Sequence, residues 1–310
     1  MSHPTPELLG PLAPYLADPD VTDVFVNPDG GVWVDRGKGA VPEPVRIPSG
    51  ESRDLAVRLV AAGGRHLDEA TPCGDVRLGD GIRVHGVLPP LARPGAALSI
   101  RVPRAVPLSL EGLAAGGFFA RVPLDAVARL VADRANLLIT GAAGSGKTTL
   151  LAALLAHASH ADRIVVVEDV AELRVSHPHV VRLESRQPNL EGAGGIGLDR
   201  LVREALRMRP DRLVVGECRG LEFRELVSAL NTGHDGGAGT LHANSLADVP
   251  ARLEALGALV GWSPDAVARQ AVSAFDAVLH LERTPEGVRR VAECGVLRID
   301  AAGRLLAEST

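Results

Sequence analysis

The run GAAGSGKTT, Gly141 to Thr149, satisfies G-x-x-x-x-G-K-[ST]. It follows the apolar stretch NLLIT and opens KTTLLAALLAHA, so the pattern predicts a strand, a glycine-rich turn and a helix in that order. In such a turn the backbone of Gly141, Ala142, Ala143, Gly144, Ser145, Gly146, Lys147, Thr148 and Thr149 can curl around phosphate oxygens. Lys147 would reach the β- and γ-phosphates of ATP, and the Thr148 hydroxyl would coordinate Mg²⁺. Lysine occurs only twice, as Lys38 and Lys147. One of the two therefore stands where a flexible point charge suits phosphate.

A phosphate loop needs acids nearby, and two strand ends offer them. RLVVGE closes on Gly216-Glu217, with glycine where a Mg²⁺-holding aspartate is expected. A carboxylate just past a buried parallel strand faces the P-loop, because ligands in open α/β sheets bind beyond the carboxyl ends of the strands. Glu217 then has two jobs open to it: polarising the attacking water, or holding Mg²⁺ through water. IVVVEDVAEL supplies Glu168, Asp169 and Glu172 at a second strand end, so the acids are distributed over two strands, with Glu168 and Glu172 expected among the catalytic acids and surface ion pairing as the alternative. NTGHDGGAGTLHANS brings His234, Asp235 and His242 in a glycine-rich approach to a strand. Both histidines are expected to sense the γ-phosphate; local hydrogen bonding is the alternative.

The elements that must position these groups alternate. From Pro123 onward the pattern runs helix, strand, helix, strand through GAGTLHA, which predicts a mostly parallel sheet covered by helices. After about Ser263 a helix and two or three strands follow. Before it, VTDVFVNPDGGVWVDRG reads as a hairpin, SRDLAVRLVAAGG as a helix opened by Ser52, and GDVRLGDGIRVHGVLPP and AALSIRVP as further strands. The expected fold class is α/β: a RecA-like P-loop domain at residues 116–310, preceded by a small α+β domain at 1–102. The proline-spaced stretch 103–115 is expected to link them and act as a hinge.

At 310 residues the chain is comfortable for two cores. A net charge of −5 argues against a protein that coats nucleic acid. Three scattered cysteines, Cys73, Cys218 and Cys294, have no metal-ligand spacing and read as buried, inert thiols of a reducing compartment. No signal peptide and no apolar run of spanning length is present, so the expectation is a cytoplasmic protein that meets a membrane only through partners.

GAAGSGKTT, VVVEDVAEL, LRMRPDRLVVGECRG and NTGHDGGAGTLHANS, in that order, resemble the secretion ATPase superfamily of type II and type IV secretion and type IV pilus systems. They match its Walker A, Asp box, Walker B and His box. The likeness is nearest to the Flp/Tad pilus-assembly branch. It takes in LESRQPNLEGAGGIGLDRLVREALRMRPDR and, more weakly, GDGIRVHGVLPPL and LSIR, over residues 20 to 285. In this family the Walker B strand ends in Gly-Glu, so Gly216-Glu217 is the expected form. The resemblance implies that Glu217 positions or activates water, and that Glu172 contacts metal or water. It further implies a hexamer with ATP between the two domains and arginines of the first domain on the phosphates. Arg83 and Arg101 are the candidate fingers, with Arg77 and Arg104 as stand-ins; Arg186, Arg207, Arg209 and Arg219 are candidates for intersubunit contacts. The expected partners are further copies of the chain and a membrane platform protein, without insertion into the membrane. The chain starts almost directly at VTDVFVNPDGG, where that branch usually carries a longer helical region, and it lacks the four-cysteine module of many type II ATPases.

Three other classes compete with an export motor. A conjugation-linked DNA motor would share most of these pieces, but the acidic balance and scarce aromatics weigh against it. A non-hydrolysing nucleotide-gated scaffold is opposed by the intact Lys147, Thr148 and Glu217. A small-molecule kinase would leave the His-box run unexplained.

Overall fold

The computed structural model describes residues 4–102, 108–186 and 194–310. The chain divides into two compact units, Met1–Val106 and Pro107–Thr310.

The first unit is a six-stranded antiparallel sheet of β1 (Asp23–Val26), β2 (Gly31–Asp35), β3 (Ala40–Arg46), β4 (Cys73–Arg77), β5 (Arg83–Val87) and β6 (Ala97–Arg101), in the order β3-β2-β1-β6-β5-β4. Alternation sets its faces: Val24, Val26, Val34, Val84 and Ile100 are buried with Leu55, Ala56, Leu59 and Val60 of the helix Ser49–Ala62. That helix begins three residues before Ser52. Ser52 is instead buried, donating to Ser49 O at 3.0 Å and accepting from the Ala96 amide at 3.2 Å, so its hydroxyl ties helix to strand. The opposite pleat carries a row of charges in register. Arg77 pairs with Arg83, Arg83 with Arg101, Arg101 with Asp23, and Asp23 with Asp35.

The second unit is an α/β layer structure. Its strands are β7 (Leu137–Gly141), β8 (Ile164–Glu168), β9 (Val180–Glu184), β10 (Arg212–Val215), β11 (Ala238–His242), β12 (Ala277–Arg283), β13 (Arg289–Ile299) and β14 (Leu305–Ser309). They lie in the order β14-β13-β12-β7-β11-β10-β8-β9. All neighbours from β12 to β9 are parallel, and β13 and β14 add antiparallel at one edge. Helices cover both faces, which is why every residue of β7, β8 and β10 is buried and most are apolar. Ile139, Ile164, Val166 and Val214 join one core with the helix Lys147–Ala156. Leu138, Val165, Val167, Leu213 and Val215 join the other, with the helices Leu198–Leu206, Glu222–Leu230 and Pro264–Ala274.

Within the stretch 103–115, residues 103–107, Arg104 among them, lie outside the described residues. Leu110–Ala115 is a helix capped by Ser109, with Leu110 and Leu113 buried in the core of the second unit. The cysteines depart from the expectation of three buried thiols: Cys218 is buried, Cys294 half-buried and Cys73 exposed, because Cys73 points outward from an edge strand. Among the described residues no helix is long and apolar enough to cross a membrane.

Candidate functional site

The site forms beyond the carboxyl ends of β7, β11, β10 and β8. Gly141 ends β7 at φ 148°, and a Cβ there would lie 2.5 Å from Leu281 O and 2.6 Å from Ser145 Oγ, so only glycine admits this turn. Ala142, Ala143 and Gly144 form an exposed crest, and the chain then re-enters at Ser145, which is fully buried. Gly146, at φ 102°, opens the helix Lys147–Ala156, with Thr148 half-buried and Thr149 exposed at its first turn. The first-turn N–H groups of that helix make a ready anion site.

Lys147 is buried, and its ammonium donates to Gly141 O and Ala142 O, each at 2.9 Å, and to His242 Nδ1 at 3.2 Å. Burial pulls its pKa below the ordinary lysine value, with Arg219 acting in the same direction. His242 is brought there by register: β11 runs beside β7 with His242 opposite Gly141. With Nδ1 accepting from Lys147, the imidazole is the Nε2–H tautomer, and Nε2 donates to Glu217 Oε1 at 2.7 Å. Burial, followed by the charge of Lys147, holds His242 below the usual histidine pKa, which keeps it neutral. Arg219 Nη2 donates to the other Glu217 oxygen. The four side chains form one line of contacts: Lys147, His242, Glu217, Arg219.

Two further acids border that line. Glu172 is exposed at the mouth, close enough for its charge to act on Lys147 and Arg219. Glu168 is buried, and its Oε1 accepts the N–H groups of Glu172 and Leu173.

His234 does not join them. It precedes β11, at the far end of the strand from His242, and its Nδ1 contacts Ala229 O at 3.2 Å. A strand advances ~3.3 Å per residue, so β11 alone puts about 13 Å between that end and His242. The structure therefore does not bring the two histidines together within the chain, and His234 makes the kind of local contact that was the alternative. The intervening GAGTL is the strand itself, with its two ends on opposite edges of the sheet. Arg83 and Arg101 stand as direct cross-strand neighbours on the first unit's sheet, Arg83 half-buried and Arg101 exposed.

Four residues at or beside the site carry no motif. Arg289, on β13, donates from Nε to Gly144 O at 2.8 Å and so holds the crest of the loop. Phe118 lies against the same turn: a Cβ on Gly146 would sit 3.4 Å from two of its ring carbons. Glu222 is buried and accepts from the amides of Arg219 and Gly220, at 2.5 and 2.7 Å, which fixes the chain just past Glu217. His280 is buried beside β7, its Nδ1 2.9 Å from Thr140 Oγ1, with its pKa pulled down by burial. No sequence pattern marks these residues; tertiary contact brings them in.

Residues 7–286 match the family described as Type II/IV secretion system protein. A putative conjugal transfer protein of Mycobacterium tuberculosis is 48% identical over 305 residues, which cover 96% of this chain and 86% of that protein. The probable conjugal transfer protein TrbB of Sinorhizobium fredii is 32% identical over 306 residues, covering 95% and 88%. Among solved structures, the ATPase DotB of Legionella pneumophila aligns over 99% of this chain and 80% of its own with a TM-score of 0.62. At 18% identity that likeness is one of fold.

Proposed function

The chain belongs to the type II/IV secretion ATPase family, and from that premise we propose a Mg²⁺-dependent ATP hydrolase that works as a ring of six copies and energises an export or pilus machine. The observation that carries this reading is the line Lys147–His242–Glu217–Arg219 laid across the mouth of a glycine turn.

The residues present fit the nucleotide and its metal. The crest at Ala142–Gly144 is open for backbone N–H groups to meet phosphate, and Lys147 can exchange its two loop carbonyls for phosphate oxygens. Mg²⁺, held by the Thr148 hydroxyl, phosphate oxygens and the carboxylates of Glu172 and Glu217 directly or through water, would neutralise charge on the transferred group. Glu217 takes the water-positioning role; its place at the end of β10 faces the loop, and His242 orients it. Arg83 and Arg101 are the proposed fingers. They are direct cross-strand neighbours and so stand on one face of the first unit's sheet. Charge spread over phosphoryl oxygens in the transition state is the chemistry such arginines suit.

Two relatives named as conjugal transfer proteins support a setting in conjugal transfer. The likeness of the Asp-box to His-box segment to the Flp/Tad branch keeps pilus assembly as the specific form of the proposal. The motor would stand at the cytoplasmic face of a membrane, docked on a platform protein. A DNA-handling motor is the second reading, favoured by the same relatives' names.

Particle mass and ATP turnover, measured together with and without single-stranded DNA, test the proposal. Six-membered particles with Mg²⁺-ATP and turnover indifferent to DNA are expected. Turnover that requires DNA would transfer the assignment to the second reading, and monomers at all nucleotide concentrations would remove the ring.

A further inference from the structure

Position 216 carries no side chain, and the space that an aspartate would need there is filled. A Cβ on Gly216 would lie 2.7 Å from Glu168 Cγ and 3.2 Å from Glu168 Oε1. Neither partner has room to yield. The Gly216 amide donates to Val167 O at 2.9 Å, and its carbonyl accepts from Thr240 Oγ1 at 2.6 Å, so β10 is fixed against both neighbouring strands. Glu168 is 4% exposed. An aspartate at 216 and Glu168 in this place exclude one another.

The carboxylate of Glu168 is turned away from solvent into the loop that follows it. Its Oε1 accepts from the Glu172 and Leu173 amides, each at 2.9 Å. Leu173 is itself buried, anchoring the loop's far end in the core, whereas Glu172 between them is exposed. Hydrogen bonds to an ionised acceptor are the stronger kind, and a buried carboxylate without donors would be costly. The loop and the carboxylate therefore stabilise each other, and Glu172 is set at the mouth as a result.

We infer that Glu168 is a positioning residue, admitted by the missing side chain of Gly216, whose buried carboxylate pins residues 169–173 and so presents Glu172 to the nucleotide site. The sequence expectation put Glu168 among the catalytic acids; its direction and burial assign it to the loop instead. The importance of Glu172 rests on the ATPase reading above, while the pin itself does not.

Hydrogen exchange on nucleotide-free protein, followed by mass spectrometry of peptides spanning 169–175, reads the pin without any turnover. Glu168→Gln keeps an oxygen acceptor and should hold exchange and kcat within about threefold of wild type. Glu168→Ala and Gly216→Ala should each speed exchange of that segment by about tenfold or more, since each of the two amides loses a charged hydrogen bond. They should also lower kcat with little change in KM, and the double variant should be no worse than the worse single one. Where Glu168→Ala fails to fold, Gly216→Ala and Glu168→Gln decide the matter. Unchanged exchange in both alanine variants overturns the pin. A Gln variant with wild-type exchange but turnover as low as that of Glu168→Ala also overturns it, because the charge of Glu168 would then belong to the chemistry. A wild type that never turns over but shows the expected exchange pattern supports the pin and removes the ATPase reading alone.

Discussion

Glu217 divides its carboxylate between a neutral imidazole and a guanidinium, and the imidazole in turn accepts from the P-loop lysine. On that geometry His242 orients the glutamate, and a donor at its place matters more than an imidazole. Steady-state hydrolysis should show His242→Ala losing about 10- to 100-fold in kcat, the usual cost of removing an orienting partner. His242→Gln, which still offers an N–H, should recover part of the loss; a His242→Ala enzyme with wild-type kcat would detach His242 from the chemistry. The P-loop, Glu217 and His242 are legible in the sequence because each begins at, or within two residues of, a strand end whose apolar run can be read. The separation of His234 from His242 is not legible from a count of histidines in a glycine-rich run, which ignores the strand between them. Arg289 and Phe118 meet the same turn from positions far apart in the chain, and nothing local announces either.

At the amino ends of the strands, opposite the site, a buried ionic knot sets how the elements begin. Asp162 just before β8 receives Arg212 of β10 at 2.6 Å and Arg134 at 2.9 Å. Arg212 also donates to Val131 O, and Arg134 to the carbonyls of Asp211 and Asp235, so the helix Leu124–Ala132 and three strand starts share one network. Burial would raise the pKa of Asp162, but the hydrogen bond and charge of Arg212, with Arg134 behind them, outweigh it and hold it below its ordinary 3.8. With the folded value depressed, this contribution is present above about pH 3.8 and is lost as pH falls through the lower folded value. Asp162→Ala leaves the Arg212 guanidinium, 4% exposed, without its counter-charge. Urea unfolding at pH 7 should show a loss of about 3–5 kcal/mol; a loss under about 1 kcal/mol would mean that the backbone carbonyls alone satisfy both arginines. The helix–strand alternation was open to sequence reading because strands buried on both faces are apolar runs bounded by glycine and charge. The knot was not, since its three charged residues look like ordinary surface residues until the sheet assembles.

The whole molecule joins a unit that displays three arginines in register to a unit that holds a phosphate loop. The two fold classes could be read from period and turn residues, and the family from four ordered motifs spread over more than a hundred residues. The proposed ring and docking partner would depend on exposed surfaces, where residue choice is weakly constrained and no motif forms. On the proposed function, Glu217 carries the ATP-hydrolysis step. Mg²⁺-ATP hydrolysis by the wild type beside Glu217→Gln, with nucleotide affinity titrated for both, tests it most directly. The expected result is a wild type that hydrolyses ATP and a variant that binds it within about threefold as tightly while kcat falls by about a hundredfold or more. A wild type that binds ATP without turnover, or a Glu217→Gln variant that turns over at the wild-type rate, would contradict it.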